Sequence, residues 1–164
     1  MTFGMAPAPA LAGNEILERI LAAPSGLVTL ACQDIQALLE QFTATARHTG
    51  QAIYLWQPDT GLGSLREAHL RIPDCQRLGN ALRYMQQSLH FGVYLLVGIE
   101  LPLSAPDATL LRQLARAPKA YLRRIVLIDV PPALTAHLAD LAVPMDSEDG
   151  RPPRLRLRDG RWLS

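Results

Sequence analysis

The sequence predicts a three-layer α/β domain built on a mainly parallel five-stranded sheet, with helices on both faces and a C-terminal β-ribbon. The central strand candidates, at 92–100 and 123–130, each contain a continuous apolar run without alternation, which is typical of parallel strands buried on both faces. Strand candidates also alternate with segments of helical periodicity along the chain, which is the order of α/β domains. A chain of 164 residues is long enough for one such domain.

The first half of the chain begins with a helix. Asn14 is a suitable N-cap, the apolar positions that follow recur with helical spacing, and the segment 24–26 ends the helix. The elements predicted after it are a strand at 27–31, a helix at 33–48 that stops at Gly50, and a strand at 52–56. The connection 57–73 is predicted to be irregular at its start because it contains Pro58 and several glycines.

The second half continues the alternation. Asp74 is predicted to cap a helix at about 75–89. The remaining elements are a strand at 92–100, a helix at about 107–116, a strand at 123–130, a helix that opens at Pro131 and Pro132 and runs to about 141, and a short fifth strand in "LAVPMD".

Both ends of the chain differ in composition from the domain, which we place at residues 14–150. Residues 1–13 are rich in alanine, proline and glycine and are predicted to form a flexible arm. The tail contains "RLRLRDGRWLS", which alternates arginine with leucine before Asp159-Gly160, a favoured hairpin turn. We therefore predict that residues 151–164 form a hairpin packed on the edge of the domain.

Composition narrows the class of protein. No apolar run approaches the ~20 residues that cross a bilayer, and the N-terminus lacks the features of a signal peptide. The chain has two cysteines and a net charge of +1, so it has neither a disulfide framework nor a global charge that favours nucleic acid. We expect a cytoplasmic protein without a membrane association.

The junction between the first strand and the second helix lacks a phosphate cradle. A nucleotide-binding P-loop places Gly-x-x-x-x-Gly-Lys-Ser/Thr there, because free backbone N–H groups and a lysine bind the phosphates. This chain has "ACQDIQAL" instead, with no glycine, no lysine and an aspartate, Asp34, that would repel phosphate. The sequence therefore predicts that the chain binds no nucleotide cofactor.

Several strings of the chain resemble one protein family. "GLVTL", "AIYLWQPDTGL", "GVYLLVGIELPL" and "IVLIDVPPALTAHLADLAVPMD" follow in order. Over about residues 15–147 they resemble the degenerate, ATPase-like N-terminal domain of bacterial and plastid AAA-type ATPases. The resemblance implies a P-loop-NTPase-like sheet. In active relatives of that superfamily an acidic residue that holds magnesium ends the third strand, and this position aligns with Gly98, two residues before Glu100.

The resemblance implies a bacterial, non-catalytic scaffold that works through protein interaction, either with itself or with a separate ATPase, and that needs no cofactor. One surface for this contact is predicted after the second strand, where a long connection reaches the edge at which α/β domains bind ligands. Its residues are Trp56, Gly61, Leu62 and Gly63.

Two other functions remain open from the sequence. Cys32 precedes a helix, where a thiol can be activated, so an enzyme using this thiol or a strand-end carboxylate is one alternative. The other is a nucleic-acid adaptor that acts through the tail, whose residues for this role are Arg154, Arg156, Arg158 and Trp162. The spacing of histidines, cysteines and carboxylates indicates no metal site.

Overall fold

The computed structural model describes residues 13–116 and 123–147, and within them it confirms an α/β fold with a mostly parallel sheet. The predicted arm and the predicted C-terminal hairpin lie outside the described residues. Five helices and seven strands are described. The helices are α1 (Gly13–Ala22), α2 (Ile35–Thr49), α3 (Leu78–Gln87), α4 (Ala105–Ala115) and α5 (Pro132–His137). The strands are β1 (Leu27–Ala31), β2 (Ile53–Gln57), β3 (Gly61–Ser64), β4 (Arg71–Ile72), β5 (Gly92–Val97), β6 (Arg123–Ile128) and β7 (Val143–Asp146).

The seven strands form one sheet in the order β4-β3-β2-β5-β6-β1-β7. The five strands predicted from the sequence are parallel to one another, with β1 between β6 and β7. All residues of β5 and β6 are buried, which explains the uninterrupted apolar sequence of β5 and of β6 after its first two residues.

The connection 57–73 is a correction to the sequence prediction. It is not irregular at its start, because β3 pairs antiparallel with β2 and β4 pairs antiparallel with β3. The glycines that argued against regular structure lie inside β3, at positions 61 and 63. The turn into β3 contains Asp59 at φ 67°.

Helix α3 also starts later than predicted. Asp74 does not cap it, because the helix begins at Leu78 and Arg77 is the residue before it. Asp74 instead adopts a left-handed conformation, with φ 61°, in the preceding turn. Two other elements of the second half are shorter than predicted, because α5 ends at His137 and β5 at Val97.

Two hydrophobic clusters, one on each face of the sheet, make up the three layers. On one face, α1 and α2 contribute side chains such as Ile20 and Phe42. On the other, α3, α4 and α5 contribute side chains such as Met85, Leu111 and Leu134. Because five strands run parallel, their carboxyl ends lie along one edge of the sheet, where α/β domains usually bind ligands.

Two buried arginines at the start of β6 fix a helix on each face. The Nη1 atom of Arg123 donates to the carbonyl oxygens of Met85 and Gln86 in the last turn of α3. Arg124 donates from Nε to the carbonyl oxygen of Ile20 (3.2 Å) and from Nη2 to that of Leu21 (3.1 Å), in the last turn of α1. These carbonyls belong to the last turns of the two helices, where Ile20 also accepts the N–H of Ala23 at 3.2 Å and Met85 that of Ser88 at 3.4 Å. Burial lowers the pKa of Arg124. The two arginines therefore cap two helices on opposite faces.

Candidate functional site

The junction between β1 and α2 is the position at which P-loop proteins bind phosphate. Only Cys32, Gln33 and Asp34 connect the two elements, whereas the cradle motif spans about eight residues. Asp34 is the N-cap of α2, and its Oδ1 accepts a hydrogen bond from the backbone N–H of Ala37 at 3.1 Å. A carboxylate of the chain itself thus occupies the N-terminus of this helix.

The residue after β5 is Gly98, the position that the sequence resemblance aligns with the magnesium-binding acid of active relatives. Gly98 has φ 81°, and a Cβ atom added to it would lie 2.9 Å from Cδ of Pro58. A side chain at this position is therefore excluded by the backbone conformation and by a neighbouring ring. Glu100 is exposed two residues later.

A small cavity lies where β1, β6 and β7 end. It has a volume of about 150 Å³, and Thr29, Asp129 and Thr135 contribute to its lining. Asp129 has φ 53°, and its N–H donates to the carbonyl oxygen of Leu30 at 2.8 Å. Pockets that hold small ligands usually have about 300–1,000 Å³, so this cavity is too small for a nucleotide.

Cys32, the candidate nucleophile, is half-buried against the cluster formed by α1 and α2. None of the four histidines of the chain directly follows a parallel strand: His48 is in the last turn of α2, His69 follows β3, His90 precedes β5 and His137 ends α5. The described residues contain no group of three or more histidine, cysteine or carboxylate side chains placed to hold a metal ion.

The second cysteine and two tyrosines lie in the other cluster. Burial, and next the charge of Asp74, raise the pKa of the Cys75 thiol, which opposes thiolate formation. Tyr54 stacks on Tyr94 with ring centroids 5.0 Å apart, and burial raises the pKa of Tyr94 to about 12. These groups stabilise the interior and do not form a reactive centre.

The interaction surface predicted after β2 is divided between the two faces of the sheet. Trp56 and Leu62 lie in the core, and the Nε1 atom of Trp56 donates to the carbonyl oxygen of Cys75 at 2.8 Å. The sequence predicted both side chains at the surface, but both are buried, and Trp56 joins the β2–β3 hairpin to the segment before α3. The tail residues Arg154, Arg156, Arg158 and Trp162 lie outside the described residues.

Gly61 and Gly63 belong to a different surface, which we call the glycine shelf. This cavity of about 270 Å³ is lined by residues of α2 and of the antiparallel segment β2–β3–β4, and both glycines, Arg47 and Arg71 are among them. Gly63 is opposite Leu55 in the pairing register of β2 and β3. Neither arginine was predicted as a site residue from the sequence. The local sign of this surface is the pair of glycines two residues apart in β3, because a glycine in a strand often marks a close approach of another group to the backbone.

The shelf depends on its glycines. Gly61 has φ 88°, a conformation that other residues seldom adopt. A Cβ on Gly63 would lie 2.9 Å from Nη1 of Arg71, whose guanidinium crosses this position. Nη2 of Arg71 donates to the carbonyl oxygen of Thr60 at 2.7 Å, so the arginine is fixed across the hairpin.

Comparison with known proteins adds one family. The sequence model of one protein family, the N-terminal domain of SpoVK-like AAA ATPases, matches residues 14–146. No curated protein matches the chain. Within the described residues, no helix is long and apolar enough to cross a membrane.

Proposed function

We propose that this chain, which belongs to the family of SpoVK-like AAA ATPase N-terminal domains, is a non-catalytic interaction module that has lost nucleotide binding. The observation that carries this proposal is the Asp34 carboxylate at the N-terminus of α2. Phosphate binding at a helix N-terminus requires free N–H donors and a positive end of the helix dipole. Here the Ala37 N–H is already paired with Asp34, and the negative charge repels phosphate.

The geometry around Gly98 supports the same proposal. A magnesium-binding carboxylate cannot be restored there without displacing Pro58, so the two groups that supply phosphate and metal affinity are both replaced. The cavity that Thr29, Asp129 and Thr135 line at the ends of β1, β6 and β7 has about 150 Å³, which is below the usual size of a small-ligand pocket. An α/β scaffold that keeps its fold without this chemistry is suited to protein interaction.

The class of partner follows from the family. Its description places such a domain N-terminal to an AAA ATPase, so the partner we propose is an AAA ATPase module. Self-association is the second form of the same role. Neither requires a cofactor.

Isothermal titration calorimetry with magnesium–ATP tests the loss of nucleotide binding. We expect no saturable heat, and the variant Asp34→Ser, which retains an N-cap without the charge, should behave in the same way because the cradle glycines and lysine are still missing. A dissociation constant in the low micromolar range for the unmodified chain would overturn the proposal.

Sedimentation velocity tests the interaction. The chain is measured alone over a range of concentrations and then mixed with a SpoVK-like AAA ATPase module from the same organism. We expect either a concentration-dependent oligomer or co-sedimentation with the module. A chain that stays monomeric at every concentration and does not co-sediment would contradict an interaction role.

A further inference from the structure

The glycine shelf has an electrostatic property that its fold role does not explain. Two arginines, Arg47 from α2 and Arg71 from β4, contribute to one cavity, and no aspartate or glutamate is among its lining residues. Among the described residues, the ion pairs are Arg66–Glu67 and Arg112–Asp140, and neither involves the shelf arginines. Both arginines are exposed, so solvent weakens their mutual repulsion, and an anion bound at this cavity can interact with both charges.

The neutral polar side chains of the shelf already have hydrogen-bond partners within the chain. The Thr43 hydroxyl donates to the carbonyl oxygen of Leu39 at 2.8 Å within α2. The Ser64 Oγ accepts from the backbone N–H groups of Arg66 and Glu67 at 3.1 Å each. The Arg71 guanidinium uses Nη2 for Thr60, and a planar guanidinium carries further donors that can bind a carboxylate.

The shape of the shelf indicates the size and nature of the ligand group. Its volume of about 270 Å³ lies below the usual range for drug-sized ligands, so it suits one or two side chains. Leu55, Leu65 and Ala68 give the cavity an apolar part, on which the methylene groups of a glutamate can pack. Gly63 has no side chain, and the Arg71 guanidinium lies over it, so a bound segment meets the guanidinium at this point.

We propose that the glycine shelf binds an acidic peptide segment of the partner protein, with a carboxylate held between Arg47 and Arg71. This inference deepens the proposed function and rests on it, because it names the chemistry by which the module recognises its partner. The shelf lies on the α2 side of the hairpin, away from Asp34 at the opposite end of α2. Peptide binding therefore does not need the lost nucleotide site.

The test is an NMR titration of the ¹⁵N-labelled chain with a hexaglutamate peptide at low salt. We expect saturable shifts of the Gly61 and Gly63 amide signals, and no such shifts with hexaglutamine. Arg47→Gln should weaken binding by about tenfold, the value of one charge-assisted hydrogen bond. Arg47 is exposed, so its replacement should leave the rest of the spectrum unchanged. Ala68→Glu, which places a carboxylate at the exposed rim, should abolish binding by internal competition.

The matched control is Arg83→Gln, which removes an exposed arginine of α3 that lies outside the shelf and bonds to Asn80. It should leave the affinity unchanged. The inference is overturned if the glycine signals do not shift, if Arg47→Gln binds as tightly as the unmodified chain, or if Arg83→Gln loses as much affinity. Inorganic phosphate giving the same shifts at equal concentration would indicate a small-anion site and would also overturn it. These outcomes leave the loss of nucleotide binding untouched, since magnesium–ATP calorimetry alone decides it.

Discussion

Replacing Arg124 by methionine should destabilise the domain by removing the cap of α1. Arg124 is 7% exposed and donates two hydrogen bonds to carbonyls of α1. A hydrogen bond from a charged donor contributes about 1.5–3 kcal/mol, so two give about 3–6 kcal/mol. Burial of the guanidinium, which lowers the pKa of Arg124, offsets part of this, and methionine fills most of the volume. We therefore expect a loss of about 2–4 kcal/mol in the free energy of unfolding.

Equilibrium unfolding in urea, followed by circular dichroism, measures this loss directly. For a domain of this size the corresponding fall in melting temperature is about 5–15 °C. Arg124→Lys keeps the charge but reaches fewer acceptors, so it should lose about half as much free energy. Arg83→Met, at an exposed position of α3, should change the free energy by less than about 0.5 kcal/mol. If Arg124→Met lies within that same small range, the capping argument is wrong.

Three further predictions follow from other residues. Gly98→Asp should lower the melting temperature and should not create magnesium affinity in calorimetry, because Pro58 and the positive φ exclude the side chain; a magnesium complex would contradict this. The pKa of tyrosine is 10.0 in its unperturbed state and about 12 for Tyr94 in the folded domain. The free energy of unfolding should therefore fall as the pH rises from 10 to about 12, because the unfolded state loses this proton first. The fall should be smaller in Tyr94→Phe. Deleting residues 151–164 should lower the melting temperature if the predicted hairpin packs on the domain, whereas glutamine at positions 154, 156 and 158 should not change it; an unchanged melting temperature after deletion would count against the hairpin.

The parallel part of the sheet was predictable from the sequence because burial on both faces leaves a direct compositional trace. Every residue of β5 is buried, and its segment contains no charged residue. The absence of a phosphate cradle was equally predictable, since it depends on residue types within one short segment. The capping role of Asp34 follows from the same local rules.

The hairpin and the glycine shelf were not predictable by those rules. Two glycines in a four-residue strand remove the alternation that marks a β-strand, so β3 forms only because β2 and β4 pair with it. The approach of Arg47 to the hairpin depends on how α2 packs, which no local pattern contains. Trp56 was misplaced for the same reason, because its hydrogen-bond partner, Cys75, is 19 residues away.

The cap that Arg124 provides also has a consequence for synthesis of the chain on the ribosome. Its hydrogen bond to Ile20 joins residues separated by 104 positions. At translation rates of about 5–20 residues per second, Arg124 is synthesised about 5–20 s after the end of α1, whose last turn it caps. During that interval its apolar side has only part of the sheet to cover it. Helix α1 is therefore synthesised about 100 residues before the side chain that completes its C-terminal end, and until then its end is capped only locally.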